Sequence, residues 1–240
     1  MAIVAFQHAD RCRPGRLGAT LRDHAFALDI RRPDRGDPFP TDLDDIEGVV
    51  SLGGPQHVGG KEAWLAKEIE FLKRAHERSL PIVGVCLGHQ LLAAALGAEV
   101  GPMERPEVGM YDVDLTAVGQ TDTILGGIAW RSPQFQAHEH EAKDVPPGAA
   151  LLATSPGCKV QAFRAGMRSY GFQYHFEADR TIIREILHDS IDALRKVNSA
   201  PDHAERQCAQ HYEMFARLGD RLCVNIAAFL IPKVATVVGV

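Results

Sequence analysis

The segment Pro81-Ile-Val-Gly-Val-Cys86-Leu-Gly88-His89-Gln90-Leu-Leu-Ala-Ala-Ala-Leu-Gly97 decides how the chain is read. An apolar, β-branched run reaches Val85, and an Ala- and Leu-rich run opens at once after it. A buried strand therefore passes into a helix without a loop. Cys86 occupies the turn between them. Gly84 and Gly88 flank it as G-x-C-x-G, the thiol counterpart of the nucleophile elbow, in which small neighbours permit a sharp, strained turn that projects the side chain outward. The positive end of a helix favours the thiolate, which is the reactive form of cysteine. The competing reading is a small buried hydrophobe at a strand end. That reading suits Cys12, Cys158, Cys208 and Cys223, which are scattered and form no C-x-x-C pair, so neither a disulfide framework nor a zinc knuckle is indicated.

Outward from this elbow, short apolar runs at Ala2 to Phe6, Ala25 to Ile30, Val49 to Leu52 and Pro81 to Val85 alternate with longer amphipathic ones. Leu65, Ile69 and Leu72 recur at helical spacing among Lys61, Glu62, Lys67, Lys73 and Arg74, which marks a surface helix. The alternation predicts an α/β protein with a doubly wound, mostly parallel sheet and helices on both faces. From about Glu99 to Phe176 the period changes to two, through Tyr111 to Leu115, Phe135 to His140, Ala149 to Ala153 and Val160 to Phe163, which predicts antiparallel additions. Asp179 is a good N-cap for an apolar helix carrying Ile183, Leu187 and Leu194. A further helix is expected from about Asp202 to beyond Leu222, after a break at Asn198 to Pro201. Residues 1–196 read as one domain and residues 197–240 as a C-terminal helical extension packed on it.

The balance of 26 basic against 31 acidic residues gives −5 over 240 residues, with both signs dispersed, so no nucleic-acid surface is implied. Hydrophobic residues at 45% and charged ones at 24% fit a compact globular chain and exclude a disordered one. No run approaches the ~18 apolar residues of a membrane span. The start, Met1 to Phe6, lacks a basic opening and meets Asp10, Arg11 and Arg13 at once, unlike a signal peptide. A cytoplasmic protein that binds neither membrane nor nucleic acid is expected.

A nucleophile needs a base, and Tyr170-Gly-Phe-Gln-Tyr-His175-Phe-Glu177 supplies one at the end of an apolar strand. In an extended segment positions i and i+2 share a face, so Glu177 is expected beside the His175 ring, fixing its tautomer. Such an H-x-E pair is weak evidence alone and gains weight beside a cysteine elbow. Ser51-Leu-Gly53-Gly54-Pro55 forms a glycine-rich turn after a strand. The Gly54 N–H could face a bound acyl group, with the Leu87 N–H as second donor, giving an oxyanion hole. The turn lacks the G-x-x-x-x-G-K-[ST] phosphate-loop pattern, and a plain strand-end turn remains the bland alternative. His138 and His140 form an H-x-H pair without an evident third ligand, so no metal and no cofactor is expected. His57 and His89 read as loop and first-turn residues, not ligands.

With these segments in hand, residues 1 to about 195 resemble the class I glutamine amidotransferases, especially the amidotransferase domain of GMP synthase and its free-standing relatives. The resemblance implies the flavodoxin-like fold of that family, Cys86 as nucleophile, His175 and Glu177 as its partners, and Gly54 and Leu87 as oxyanion donors. It also implies substrate contacts from Gln90 and, more loosely, from main chain at Glu139 and His140. Phe176 departs from the family, which usually has proline between the histidine and the glutamate. The implied activity is hydrolysis of the glutamine side-chain amide, with ammonia passed to a separate synthase subunit or released, since forty-odd further residues leave no room for a synthase domain. A gamma-glutamyl peptidase would use the same triad on a different leaving group. A catalytically silent glutamine-binding regulatory subunit is the third possibility, and the intact Cys86, His175 and Glu177 argue against it.

Overall fold

The computed structural model describes residues 1–231. Among the described residues nine strands form one sheet in the order β2-β1-β3-β4-β9-β8-β7-β5-β6. The first half is parallel: β1 (Ala2–Phe6) lies between β2 (Leu28–Arg31) and β3 (Ile46–Ser51), followed by β4 (Ile82–Val85) and β9 (Ser169–Phe172). The second half is antiparallel, from β9 through β8 (Ala162–Ala165), β7 (Ala150–Thr154) and β5 (Val100–Leu115) to β6 (Arg131–Ala142). The sheet is therefore mixed in equal parts, where the sequence suggested a mostly parallel one. The cause is the run from β5 to β8, which adds the antiparallel pairings; in the longest of them, the β5–β6 ribbon, the arms pair from Val100 to Asp114 across a register shift between Pro102 and Glu107.

Alternation within the parallel strands builds a core on each face. Ile3 and Ala5 of β1 join one cluster with Leu17 and Leu21 of α1 (Gly15–Asp23) and with Leu222 and Cys223 of α7 (Pro201–Asn225). Val4 and Phe6 point the other way, against Leu65, Phe71 and Leu72 of α2 (Ala63–Glu77) and Leu87, Leu91 and Leu92 of α3 (Leu87–Ala95). Helices thus cover both faces. The α3 helix is buried almost all round, which is why its sequence shows no polar stripe.

Three local expectations shift. Strand β2 starts at Leu28, because Ala25 turns the chain with φ +60°. The eighth strand begins at Ala162, two residues later than the apolar run at Val160. The helix opening at Asp179, whose carboxylate accepts from the Ile182 N–H at 2.9 Å, ends as α5 (Arg180–Asp189) and restarts as α6 (Ile191–Lys196). Between them the Ser190 hydroxyl donates to the Ile186 carbonyl at 2.7 Å, a local bond that competes with the helical ladder. A short α4 (Ala117–Thr121), capped by Thr116, follows β5. Helix α7 packs on α1, α5, β5 and β6, and the last residues of the C-terminal extension, 232–240, lie outside the described residues. Among the described residues no helix is long and apolar enough to cross a membrane.

The seat of α3 is backbone against backbone. A Cβ at Gly88 would stand 2.0 Å from the Ser51 carbonyl oxygen, and one at Gly84 would stand 2.5 Å from the Gly88 oxygen. Gly88→Ala meets the Ser51 carbonyl as well as its hydroxyl and must move main chain, so it is expected to cost roughly 1–3 kcal/mol or more. Thermal melts should show a fall of several degrees, and a melting temperature within about a degree of wild type would contradict this seating.

Candidate active site

Strand β4 ends at Val85 and α3 begins at Leu87, so Cys86 alone makes the corner, with φ 53° and ψ −106°. A non-glycine residue in that region is strained and persists only where its surroundings hold it. Here they do: the Cys86 N–H donates to the Phe172 carbonyl at 2.8 Å, its carbonyl accepts from the Gln90 N–H at 3.1 Å, and the Gly88 N–H donates to the Leu52 carbonyl at 3.1 Å. The thiol lies 3.8 Å from the Ala137 carbonyl of β6 and opens onto a cavity of about 430 Å³.

His175 reaches the same cavity from the chain beyond β9. The extended geometry expected from sequence is not what brings it to Glu177. The strand stops at Phe172 and the chain turns, with the Ala178 N–H donating to the His175 carbonyl at 3.2 Å, and within that turn His175 Nδ1 and Glu177 Oε1 meet at 2.8 Å. The turn forms because Phe176 is drawn inward: it is fully buried and packs edge-on against Phe172 at 5.1 Å and Tyr174 at 6.5 Å. Side-chain packing thereby supplies the rigidity that a proline would give. The turn is braced from outside as well. The Arg16 N–H donates to the Glu177 carbonyl at 2.9 Å, and a Cβ at Gly219 of α7 would stand 2.6 Å from the Phe176 oxygen.

Burial opposes protonation of His175, but the charge of Glu177, and charge and hydrogen bonding from Cys86, overcome it and raise the ring to about 10. With Nδ1 engaged by the carboxylate, Nε2 is the nitrogen available for proton transfer. The glycine turn closes the third side. A Cβ at Gly53 would stand 2.7 Å from His175 Cε1 and 3.6 Å from the Cys86 Cβ, so the turn touches both. Gly54 and Leu87 line the cavity, and Leu87, as first residue of α3, has an N–H without an intrahelical acceptor.

The remaining expected contacts are distributed differently. Gln90 lines the cavity, yet its amide donates to the His140 carbonyl at 2.8 Å and to Gln173 Oε1 at 3.2 Å, so it ties α3 to β6. Glu139 pairs with Lys196 of α6. The His140 ring stacks on His57 at 4.7 Å, and burial together with the His57 charge holds it below its ordinary value. His138 is engaged at both nitrogens, by the His140 carbonyl at 2.9 Å and Glu107 at 3.2 Å, and so does not pair with His140 as a ligand set. His89, in the first turn of α3, is wholly buried and pushed down to about 3 by burial, hence neutral. Residues not singled out from sequence complete the wall: Arg11 and Cys12 after β1, and Asp189, Ser190 and Asp192 at the α5–α6 junction, with Arg11 and Asp189 paired at 2.7 Å. The usable signal is position, since ligands of open α/β sheets collect beyond the carboxyl ends of the parallel strands, and Gln7 to Cys12 follow such an end.

A strained cysteine between a central parallel strand and a buried helix, with a buried histidine on the same cavity backed by a carboxylate, places the chain among α/β proteins built around a nucleophile elbow. It belongs to the class I glutamine amidotransferase family, described as Glutamine amidotransferase class-I, which matches residues 18–193. One relative, a subunit of the glutamine-hydrolyzing GMP synthase of Pyrococcus abyssi, is 32% identical over 152 residues, 60% of this chain and 76% of its own. The crystal structure of a glutamine amidotransferase from Methylobacillus flagellatus superposes with a TM-score of 0.85 at 26% identity, covering 93% of each chain. A glutamine amidotransferase from Thermotoga maritima shares the fold with a TM-score of 0.82 at 23% identity, over 95% of this chain and 98% of that one.

Burial pushes the Cys12 and Cys208 thiols up to about 12 and drives those of Cys158 and Cys223 up as well. Limiting iodoacetamide at neutral pH should therefore modify Cys86 first, and peptide mapping that finds label on another cysteine ahead of it would contradict the assignment. The His175 shift sets a second expectation. A value raised from 6.5 to about 10 contributes stability that is full below the ordinary value and is withdrawn as the pH climbs through the raised one. In thermal melts the lead of wild type over His175→Asn should shrink across that interval, and a lead that grows with pH would reverse the sign.

Proposed function

We propose that the chain hydrolyses the side-chain amide of glutamine through a Cys86–His175–Glu177 triad. The Cys86 thiolate attacks the carboxamide carbon, and the negative oxygen that forms is received by the Gly54 and Leu87 N–H groups. His175 then gives its proton to the departing nitrogen, which leaves as ammonia while a glutamyl thioester stays on the sulfur. Water, losing a proton to His175, attacks the thioester and releases glutamate and the thiolate. Glu177 keeps Nδ1 protonated and stabilises the imidazolium. Substrate is held along Gln90, Glu139 and His140. Residues 1–196 form the catalytic domain, and the chain from residue 197 is an extension, whose described part, to residue 231, packs on it. The observation that carries this reading is the convergence of the strained Cys86 corner and of His175, backed by the buried Glu177, on one cavity.

Ammonia leaves either to a separate synthase subunit or to solvent. The first is supported by the relatives, which are named as one subunit of GMP synthase. A second reading, gamma-glutamyl peptide hydrolysis, draws on the extent of the cavity, which continues past the thiol to Arg11, Asp189 and Asp192 and leaves room for a leaving group larger than ammonia.

One measurement tests the triad and a second separates these possibilities. In a cycle of His175→Asn, Glu177→Gln and the double variant, the histidine change should cost about 10² to 10⁴ in kcat, the glutamate change less, and the double little more than the histidine change alone. Additive losses would break the triad. The isolated chain should hydrolyse glutamine slowly and accelerate when a synthase partner and its activated acceptor are supplied. If it instead turns over a gamma-glutamyl peptide with far higher kcat/KM and no partner adds anything, the second reading replaces the first.

A further inference from the structure

His8 stands just past the end of β1, where no sequence motif selects it, and it is 1% exposed. Its Nδ1–H donates to the Leu52 carbonyl at 3.0 Å and to the Gly53 carbonyl at 3.2 Å. A carbonyl cannot donate, so the proton on Nδ1 is fixed by its partners. Nε2 meets Glu68 Oε2 of α2 at 2.8 Å, and the other oxygen of Glu68, itself fully buried, accepts from the Ser51 hydroxyl at 2.6 Å. Trp64, one helical turn before Glu68, stacks flat on the imidazole at 4.9 Å with 3° between the planes. Both nitrogens and one face of the ring are thus specified, and the charged side chain facing the ring is Glu68. The charge of Glu68 and the two carbonyls raise the ring above its ordinary value against the effect of burial.

The partner that matters is the Gly53 carbonyl. It belongs to the same planar, trans peptide as the Gly54 N–H, and in a trans peptide the two point to opposite sides. Whatever holds the carbonyl therefore aims the N–H. The approach is close as well, since a Cβ at Gly54 would stand 2.8 Å from the His8 Cβ and 2.8 Å from the Leu87 Cδ2. We propose that His8 is a positioning residue for the oxyanion site: braced by Glu68 and Trp64, it grips the Gly53 carbonyl and so turns the Gly54 N–H toward the acyl oxygen bound at Cys86. This rests on the triad reading above and adds to it the element that fixes one oxyanion donor. Without the grip the flexible Gly53–Gly54 peptide is free to rotate, and the donor is lost in the transition state more than in substrate binding.

The test compares two double variants in the full chain that both remove the buried charge pair. In His8→Asn with Glu68→Gln, the asparagine amide nitrogen sits the same number of bonds from Cβ as Nδ1 and restores a donor. In His8→Leu with Glu68→Gln there is none. The first should keep kcat within about fivefold of wild type, and the second should lose about 10², with KM for glutamine little changed in either. Equal kcat in the two overturns the proposal. A readout independent of turnover is the Gly54 amide signal in chain labelled with 15N-glycine, which should stay near its wild-type position in the asparagine variant and move in the leucine one; no difference also overturns it. If wild type hydrolyses neither glutamine nor a gamma-glutamyl peptide, the functional reading falls, and the Gly54 signal still decides the placement by His8. Should one double variant fail to fold, the other still decides: a loss of about 10² in kcat or a displaced Gly54 signal in the asparagine variant, or wild-type kcat with an unmoved signal in the leucine one, overturns the grip.

Discussion

The backbone at Cys86 is the constraint on which the rest of the site depends. A residue with a side chain in that conformation stores on the order of 1–3 kcal/mol, and it stays there only if its neighbours leave no alternative. Gly84 and Gly88 permit main chain to touch main chain on both sides of the corner, and the hydrogen bonds from Cys86 to Phe172 and from Gly88 to Leu52 tie it to the strand ends around it. The elbow is therefore held by β3, β4 and β9 together. The thiol position is a property of three strands and a helix, and the strain is the cost of projecting sulfur beyond the sheet edge while its Cα stays inside it.

Electrostatics around that thiol is decided by a contest between burial and pairing. His175 is almost fully enclosed, which by itself favours the neutral ring, yet Glu177 at 2.8 Å and the thiol reverse the balance. His8 and Glu68 repeat the arrangement nearby, again in a dry setting with the histidine raised. His89, equally buried but without an acidic partner, is driven the other way. Three buried histidines within one small region are thus set to different states by what faces them, and not by their depth. Removing one partner of such a pair leaves a lone charge in the interior, which is why paired substitutions are the informative ones.

What the sequence spells out is what depends on near neighbours. The elbow at Cys86 is legible because two glycines, a strand and a helix lie within a dozen residues, and Asp179 announces its helix for the same reason. His175 and Glu177 are legible too, but with the wrong backbone, because the turn that joins them is produced by Phe176 entering a core formed by distant residues, and alternation in a short segment cannot report that. The β5–β6 ribbon is legible only in part, since its first arm carries Gly101, Pro102 and Pro106 and exposes much of both faces, leaving a weak period-two signal. His8 is invisible. Its partners lie 44, 45 and 60 residues away, and nothing local distinguishes it from any polar residue that ends a strand.

Helix α7 gives the order of synthesis a bearing on the chemistry. Gly219 lies against the carbonyl of Phe176, and Arg16 and Tyr212, joined by a hydrogen bond, link α1 to α7 across the same turn. The early residues of the chain, the histidine turn and the late helix are thus packed as one unit. During translation the elbow, the glycine turn and even His175 emerge well before residue 219, so the turn completes its packing only after α7 has left the ribosome. A nascent chain carries its thiol for a long interval without a fully braced histidine beside it. Helix α7 in this way makes the assembly of the histidine turn follow that of the elbow, and a chain cut short before it would present the parts of the site without the support that holds them in register.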